Sequence, residues 1–88
     1  MKNAVAGSAN DGILVDATSF GTRVLRNRAD RNGDDGIDVA NPASTVGRNR
    51  ANHNGDLGIE AAPGVTDAGG NTASDNGNPA QCTNVACG

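Results

Sequence analysis

The sequence predicts an all-β solenoid in which about three to four coils of roughly 22 residues stack on one another. The first indication is that Asn-Gly dipeptides recur 22 residues apart, at Asn32-Gly33, Asn54-Gly55 and Asn76-Gly77. The second is that another asparagine precedes each dipeptide by five residues. The third is that the few apolar residues keep the same period. A repeat of this length is typical of one supersecondary unit stacked on copies of itself.

The aligned repeats indicate which residues face inward. They read NRADRNGDDGI at 27–37, NRANHNGDLGI at 49–59 and NTASDNGNPAQ at 71–81, with a weaker copy, NAVAGSANDGI, at 3–13. The apolar residues at matching positions are Ile13, Ile37 and Ile59; Val15, Val39 and Ala61; Val5, Ala29, Ala51 and Ala73; and Val24 and Val46. The first two sets alternate along the chain, which predicts short strands with one inward face. Each coil should therefore contain three strands separated by turns.

Helices and hairpins fit the same residues less well. Helices are disfavoured because Gly, Asn, Asp and Ser recur every few residues and no apolar pattern of helical period persists. Asn-Gly pairs also suit hairpins, but hairpins would place identical motifs on antiparallel strands. In stacked coils, asparagine amides can hydrogen-bond to their copies and can tolerate left-handed turn conformations. We therefore expect side-chain ladders at Asn27, Asn49 and Asn71 and at Asn32, Asn54 and Asn76.

The repeat resembles that of a known protein family. The pattern N-x-A-x-x-N-G-D-x-G-I, followed by a variable turn and T/S-x-V-x-x-N, resembles the repeat of pectin-lyase-like proteins over residues 3–81. Segments 64–71 and 76–82 also resemble C-terminal coils of secreted bacterial members. The resemblance implies a right-handed parallel β-helix at 1–81, followed by a C-terminal cap at 82–88. It implies no particular activity, because the superfamily includes polysaccharide lyases, glycoside hydrolases, epimerases and members without known activity.

The end of the chain departs from the repeat. The segment 56–59, DLGI, becomes 78–81, NPAQ, so that Pro79 lacks the ladder donor and Gln81 takes the place of an inward isoleucine. Both changes should stop further stacking. Cys82 and Cys87 lack the partners of a zinc site. We therefore predict that they form a disulfide, with two reduced thiols as the alternative.

These features also bear on location and partners. A disulfide indicates an oxidising compartment, which predicts an extracellular or cell-surface protein. No signal-peptide pattern follows Met1-Lys2, so we expect the C-terminal part of a longer secreted protein, stacked on upstream coils or self-associated. The single aromatic residue, Phe20, and the net charge of -3 argue against a nucleic-acid partner. No apolar run approaches the roughly 20 residues of a membrane span.

Stacking would place four arginines in columns on the surface. Arg26 should lie over Arg48 and Arg28 over Arg50, at the strand spacing of about 4.8 Å. Each flanks a ladder asparagine, and the four should share one outward face. Guanidinium groups suit planar oxyanions, so this face could bind carboxylates or sulfates of an acidic polysaccharide. The alternative is a solvated face that repeat duplication produced.

Carboxylates should form a second set of columns, with Asp34 over Asp56, Asp38 over Glu60, and Asp35 alongside. Carboxylates about 5 Å apart serve retaining glycoside hydrolysis, and a separation of about 6.5–9.5 Å serves inversion. On open turns, however, nothing predicts a raised pKa for one carboxyl group relative to its neighbour. Turns rich in Asp are also common as ordinary local structure.

Calcium is a further alternative for these turns. The segment 30–34, DRNGD, resembles the start of an EF-hand loop, but Gly36 comes one place late and Asn41 stands where a bidentate Glu is needed. We therefore predict no metal site and no cofactor. His53 should be an exposed surface residue, since it has no Ser or Cys partner suited to nucleophilic chemistry.

Together these patterns favour a non-catalytic structural or weak polysaccharide-binding β-helix module. The connections 37–49 and 59–71 span 12 positions each, and 13–27 spans 14. Loops this short cannot wall a cleft, and without Trp or Tyr there is no sugar-stacking platform. The alternatives are a fragment of a carbohydrate-active enzyme, such as a polysaccharide lyase or glycoside hydrolase, and a self-assembling adhesin segment.

Overall fold

The computed structural model describes residues 4–6, 11–15 and 22–87, and all regular secondary structure in these ranges is β-strand. The strands are short, as the repeat predicts, and alternate with turns. They are β1 Ala4–Ala6, β2 Ile13–Val15, β3 Arg23–Leu25, β4 Arg28–Asp30, β5 Ile37–Val39, β6 Thr45–Gly47, β7 Arg50–Asn52, β8 Ile59–Ala61, β9 Thr66–Gly69, β10 Thr72–Ser74 and β11 Cys82–Thr83. The all-β prediction is confirmed, and the structure contains no helix in the residues it describes.

The strands form three parallel sheets, and each of the first three repeats contributes one strand to each sheet, whereas the last repeat contributes β10 and β11 to two of them within the described chain. Sheet 1 has the order β1-β4-β7-β10, sheet 2 the order β11-β8-β5-β2, and sheet 3 the order β3-β6-β9. The register places like residues side by side: Ile37 pairs with Ile59, and Val24 pairs with Val46. Every pairing is parallel, so Asn-Gly hairpins are absent from the described chain. The arrangement is compatible with a parallel β-helix.

The inward positions form one continuous core. The residues packed together there are Ile13, Val15, Val24, Ala29, Ile37, Val39, Val46, Ala51, Ile59 and Ala61. Burying a Val or Ile side chain is worth about 1.5–3 kcal/mol, but the alanines contribute less, so the core is thin. Leu57 is also buried, although its position was not among those predicted to face inward. It lies 22 residues after Asp35, which is likewise buried.

The turns before the ladder asparagines have a left-handed backbone. Arg26 and Arg48 precede the first ladder with φ near 57° and 54°, and Arg31 and His53 precede the second with φ of 58° and 59°. The ladder asparagines are not among the described residues of positive φ, so the residue before each of them makes the bend.

The C-terminal segment departs from the predicted register by one residue. Cys82, rather than Gln81, pairs with Ile59 in sheet 2. An extra residue is taken up in the turn at Pro79, where the Gln81 backbone N–H donates to the Asn78 carbonyl oxygen at 3.0 Å. The predicted disulfide between Cys82 and Cys87 is present, with the two Cα atoms 6.2 Å apart.

Candidate functional site

Two ladders of buried asparagine side chains position the surface of the molecule. The first lies between sheet 3 and sheet 1. The backbone N–H and Nδ2 of Asn27 donate to Asn49 Oδ1 at 2.9 and 3.0 Å. Asn49 repeats both bonds to Asn71 Oδ1 at 3.1 Å, and its Nδ2 also donates to the Val24 carbonyl oxygen at 2.8 Å. Each amide thus joins two neighbouring repeats.

The second ladder lies between sheet 1 and sheet 2 and has the same geometry. The backbone N–H and Nδ2 of Asn32 both donate to Asn54 Oδ1 at 3.0 Å. Asn54 donates in the same way to Asn76 Oδ1 at 2.8 and 2.9 Å, and its Nδ2 bonds the Ala29 carbonyl oxygen at 3.0 Å. These bonds satisfy buried backbone groups at a corner where no sheet pairing can do so.

Sequence reasoning missed how the ladders end. The backbone N–H and Nδ2 of Asn76 donate to Gln81 Oε1 at 3.1 and 2.8 Å, so a glutamine from the next turn takes the place of a further asparagine. In the first ladder, Asn71 Nδ2 donates to Asp67 Oδ1 at 3.3 Å. The backbone N–H groups of Ala86 and Gly69, followed by the Asn71 amide, hold the pKa of Asp67 below its usual value.

The four arginines, which we call the arginine strip (Arg26, Arg28, Arg48 and Arg50), lie beside the first ladder and are all exposed. Arg28 and Arg50 begin adjacent strands and pair in register. The backbone N–H groups of Arg26 and Arg48 donate to carbonyl oxygens of sheet 3, at 3.1 and 2.9 Å. The structure therefore places the strip at one corner and on the outer face of sheet 1.

One acidic residue, Asp30, partly neutralises the positive charge of the arginine strip. Arg28 Nε donates to Asp30 Oδ2 at 2.7 Å, while Asp30 Oδ1 accepts the Asn52 backbone N–H at 3.0 Å. Burial opposes ionisation of Asp30, but these two hydrogen bonds prevail and lower its pKa. Arg50 forms no ion pair within the described chain, since its repeat has Asn52 where the preceding repeat has Asp30. Of the two guanidinium groups, that of Arg50 therefore has no ion-paired acidic partner in the described chain, whereas that of Arg28 is paired with Asp30.

The acidic residues collect on the other side of the second ladder. We call this set the acidic cluster: Asp11, Asp34, Asp35, Asp38, Asp56 and Glu60. Asp35 is its buried centre at 1% exposure, and its Oδ1 accepts the Leu57 backbone N–H at 2.9 Å. Its backbone N–H donates to Asp11 Oδ1 at 3.0 Å. Burial, and then the hydrogen bond and charge of Glu60, raise the pKa of Asp35 far above its usual range.

The pKa of Asp38 is raised for similar reasons. Burial and then the charges of Asp11, Glu60 and Asp34 raise the pKa of Asp38 to about 6. Asp38 lies on β5 beside Glu60 on β8, not on an open turn. The expectation that no carboxyl pKa in these columns is raised is therefore wrong, because sheet packing and like charge both disfavour ionisation.

The cluster has the chemistry of a cation site and of an acid–base site. Carboxylate oxygens of Asp11, Asp35 and Asp38 lie within 4.8 Å of one another, as do those of Asp34, Asp35 and Asp56. Oxygen ligands of this kind suit Ca²⁺. Asp30 belongs to neither group, so the EF-hand-like segment 30–34 does not converge on one point. The raised pKa values of Asp35 and Asp38 follow from burial and then from neighbouring like charges, and need no ligand.

A shallow depression adjoins the cluster on the outer face of sheet 2. Its volume is about 460 Å³, and its lining includes Asp38, Glu60, Pro63, Thr83 and Asn84. No aromatic side chain lines it, so it offers no stacking surface for a sugar ring. His53 lies elsewhere, exposed at the corner between sheets 1 and 2, with its backbone N–H donating to the Ser74 carbonyl oxygen at 3.2 Å.

Comparison of the chain with protein-family models, with curated proteins and with solved structures returned no match. The described residues also include no helix with the length and apolar character needed to cross a membrane. The arginine strip and the acidic cluster are therefore the features of the molecule that bear on its function.

Proposed function

We propose that this chain is a non-catalytic segment of a right-handed parallel β-helix, pectin-lyase-like in its repeat, that binds acidic polysaccharide weakly through the arginine strip. Three parallel sheets, in which successive strands come from successive repeats, support the helical stack. The two asparagine ladders give it a rigid corner on either side of sheet 1. The Cys82–Cys87 disulfide is compatible with an extracellular location, where such polysaccharides occur.

The single observation that carries the binding proposal is the register of Arg28 with Arg50. Adjacent strands lie about 4.8 Å apart, so the two exposed arginine side chains leave the sheet at that interval along the stacking direction. Arg26 and Arg48 form a second column, on the other side of the first asparagine ladder. A linear polyanion lying along the stack would meet successive guanidinium groups, each able to donate two hydrogen bonds to a carboxylate or sulfate.

The charge distribution favours this face over the rest of the molecule. The net charge is -3, and much of the negative charge lies in the acidic cluster beyond the second ladder. The cluster would repel a polyanion, whereas the strip would attract it. Because the strip is exposed to solvent, binding should be weak and should decrease as salt is added.

Binding of polygalacturonate and of a sulfated glycan, measured by titration calorimetry at several salt concentrations, tests the proposal. We expect Arg28→Ala with Arg50→Ala to abolish binding, and Arg50→Ala alone to weaken it. Arg31→Ala is the matched control, because Arg31 is equally an exposed arginine but lies outside the strip. An equal loss in Arg31→Ala and Arg50→Ala would show a general charge effect and contradict a site at the strip.

An enzyme fragment is the second candidate, and the raised pKa of Asp38 beside Glu60 favours it. A carboxyl group of raised pKa beside a second carboxyl group is the pairing that glycoside hydrolysis uses. The open depression without aromatic residues favours the non-catalytic reading. We expect no product from pectate, alginate or neutral glycans, with or without calcium. Turnover that disappears in Asp38→Asn would establish the enzyme instead.

A further inference from the structure

The second ladder consists of asparagine followed by glycine in the three repeats at 27–37, 49–59 and 71–81. Asparagine is needed because its amide must both donate and accept along the stack. Glycine is needed because the following residues pack backbone to backbone. A Cβ on Gly55 would overlap the Gly33 carbonyl oxygen, and a Cβ on Gly77 would overlap the Gly55 carbonyl oxygen. The close stacking thus favours an Asn-Gly dipeptide at Asn54-Gly55 and Asn76-Gly77.

Asn-Gly is also a chemically reactive dipeptide, because glycine has no Cβ to hinder its backbone nitrogen. That nitrogen, on losing its proton, can attack Cγ of the preceding asparagine. The new N–Cγ bond forms as the Cγ–Nδ2 bond breaks, and Nδ2 leaves as ammonia. Water then opens the resulting succinimide to aspartate or isoaspartate. Water is the only co-reactant, and it also supplies the proton that the departing nitrogen takes up; no oxidant is needed.

In the folded stack, hydrogen bonds restrain both reacting groups and so oppose this reaction. The Gly55 backbone N–H donates to the Asn32 carbonyl oxygen at 2.9 Å, so the nucleophile is occupied. The leaving group, Asn54 Nδ2, donates to Ala29 and Asn76 oxygens, which fixes the amide. Attack therefore requires local opening of the ladder, and its rate should follow the free energy of that opening.

Opening should be easiest at Asn76. The amide of Asn54 is bonded to ladder asparagines on both sides, whereas that of Asn76 has Asn54 on one side and the Gln81 side chain on the other. Gly55 is stacked between two glycines, but Gly77 is stacked against Gly55 alone. Asn76 is also more exposed, at 8% against 3% for Asn54. End repeats of a stacked protein have neighbours on one side only and open first.

We propose that Asn76 is a modification site, at which this protein deamidates faster than at Asn54 and thereby loses the cap of the second ladder. A carboxylate at this position cannot donate to the Ala51 carbonyl oxygen or to Gln81 Oε1, as Asn76 Nδ2 does at 3.0 and 2.8 Å. It would instead place a buried negative charge beside two acceptors. The end turn then stays open, and the next layer, Asn54-Gly55, becomes reactive in its turn.

Site-resolved mass spectrometry of the intact, oxidised protein, incubated at mildly alkaline pH, tests this. Cleavage after arginine and glutamate yields segments 32–48, 51–60 and 61–88, which carry one Asn-Gly pair each. In the reduced chain unfolded by guanidinium, the three pairs should react at similar rates. In the folded protein, Asn76 should react at least about tenfold faster than Asn54, which corresponds to about 1.4 kcal/mol in opening free energy. Equal rates for Asn76 and Asn54 in the folded protein would overturn the proposal.

A pair of variants checks the role of the cap. Gln81→Ala removes the acceptor of the Asn76 amide, whereas Gln81→Glu keeps an acceptor oxygen at the same left-handed position, with φ near 61°. We expect Gln81→Ala to accelerate the reaction at Asn76 and Gln81→Glu to leave it close to wild type. Identical Asn76 rates in the two folded variants would remove Gln81 from the mechanism. If Gln81→Ala does not fold, the wild-type comparison of Asn76 with Asn54 still decides the proposal.

Discussion

Replacing Asn54 by alanine should destabilise the protein far more than the small size of the deleted amide group suggests. The Asn54 side chain donates to Ala29 and Asn76 and accepts two bonds from Asn32. Its removal leaves the Ala29 carbonyl oxygen, the Asn32 backbone N–H and Asn32 Nδ2 each short of a partner. A buried polar group without a partner costs about 1–3 kcal/mol, so the expected loss is at least about 3 kcal/mol. The total stability of a small domain is only about 5–15 kcal/mol.

Asn52→Ala is the matched control, because it makes the same substitution two residues away on the outer face of β7. Asn52 Oδ1 accepts the Ser74 backbone N–H and hydroxyl at 2.9 and 3.2 Å, at positions that water can reach. Its loss should cost about 1 kcal/mol or less. Urea unfolding followed by circular dichroism, with the disulfide intact, gives both values from the midpoint at constant m. Two variants that agree within about 0.5 kcal/mol would refute the reasoning that the ladder stabilises the corner.

Two further predictions concern pH and redox state. Because the pKa of Asp38 rises from 3.8 to about 6 on folding, the folded state binds this proton more tightly, and the melting temperature should fall as pH rises through that interval. Asp38→Asn should flatten that fall, and an unchanged profile would contradict it. Reduction of Cys82–Cys87 should cost about 2 kcal/mol by chain entropy. Hydrogen exchange should then rise at Gly58 and Ile59, which donate to the Gln81 carbonyl oxygen, and equal exchange in both redox states would argue against the cap.

The inward residues could be predicted because parallel stacking turns a sequence period into a column in space. Ile37 lies beside Ile59 for no reason beyond their separation of 22 residues. The same rule could have revealed Asp35 as a buried carboxyl, since it shares a column with the apolar Leu57. It was overlooked because an aspartate in a turn ordinarily faces solvent.

The C-terminal cap could not be predicted in the same way, because there the period no longer applies. The turn at Pro79 adds one residue, and this moves Cys82 into the isoleucine column and leaves Gln81 facing the ladder. In either register, one side chain of moderate size, Gln81 or Cys82, would occupy the inward position beside Ile59. Only the three-dimensional path of the turn decides which one pairs with Ile59.

The sequence by itself determined the all-β class, the repeat of about 22 residues and the columns of inward residues as far as Ile59 and Ala61, because these follow from spacing and alternation alone. The tertiary structure decided which columns meet. It brought Asp11, Asp35 and Asp38 together across repeats, and it raised the pKa of Asp38 through burial and like charge. It also placed Gln81 against Asn76. The physical reason is that spacing specifies neighbours along one stack, whereas burial, hydrogen bonding and electrostatics depend on distances between stacks and across turns.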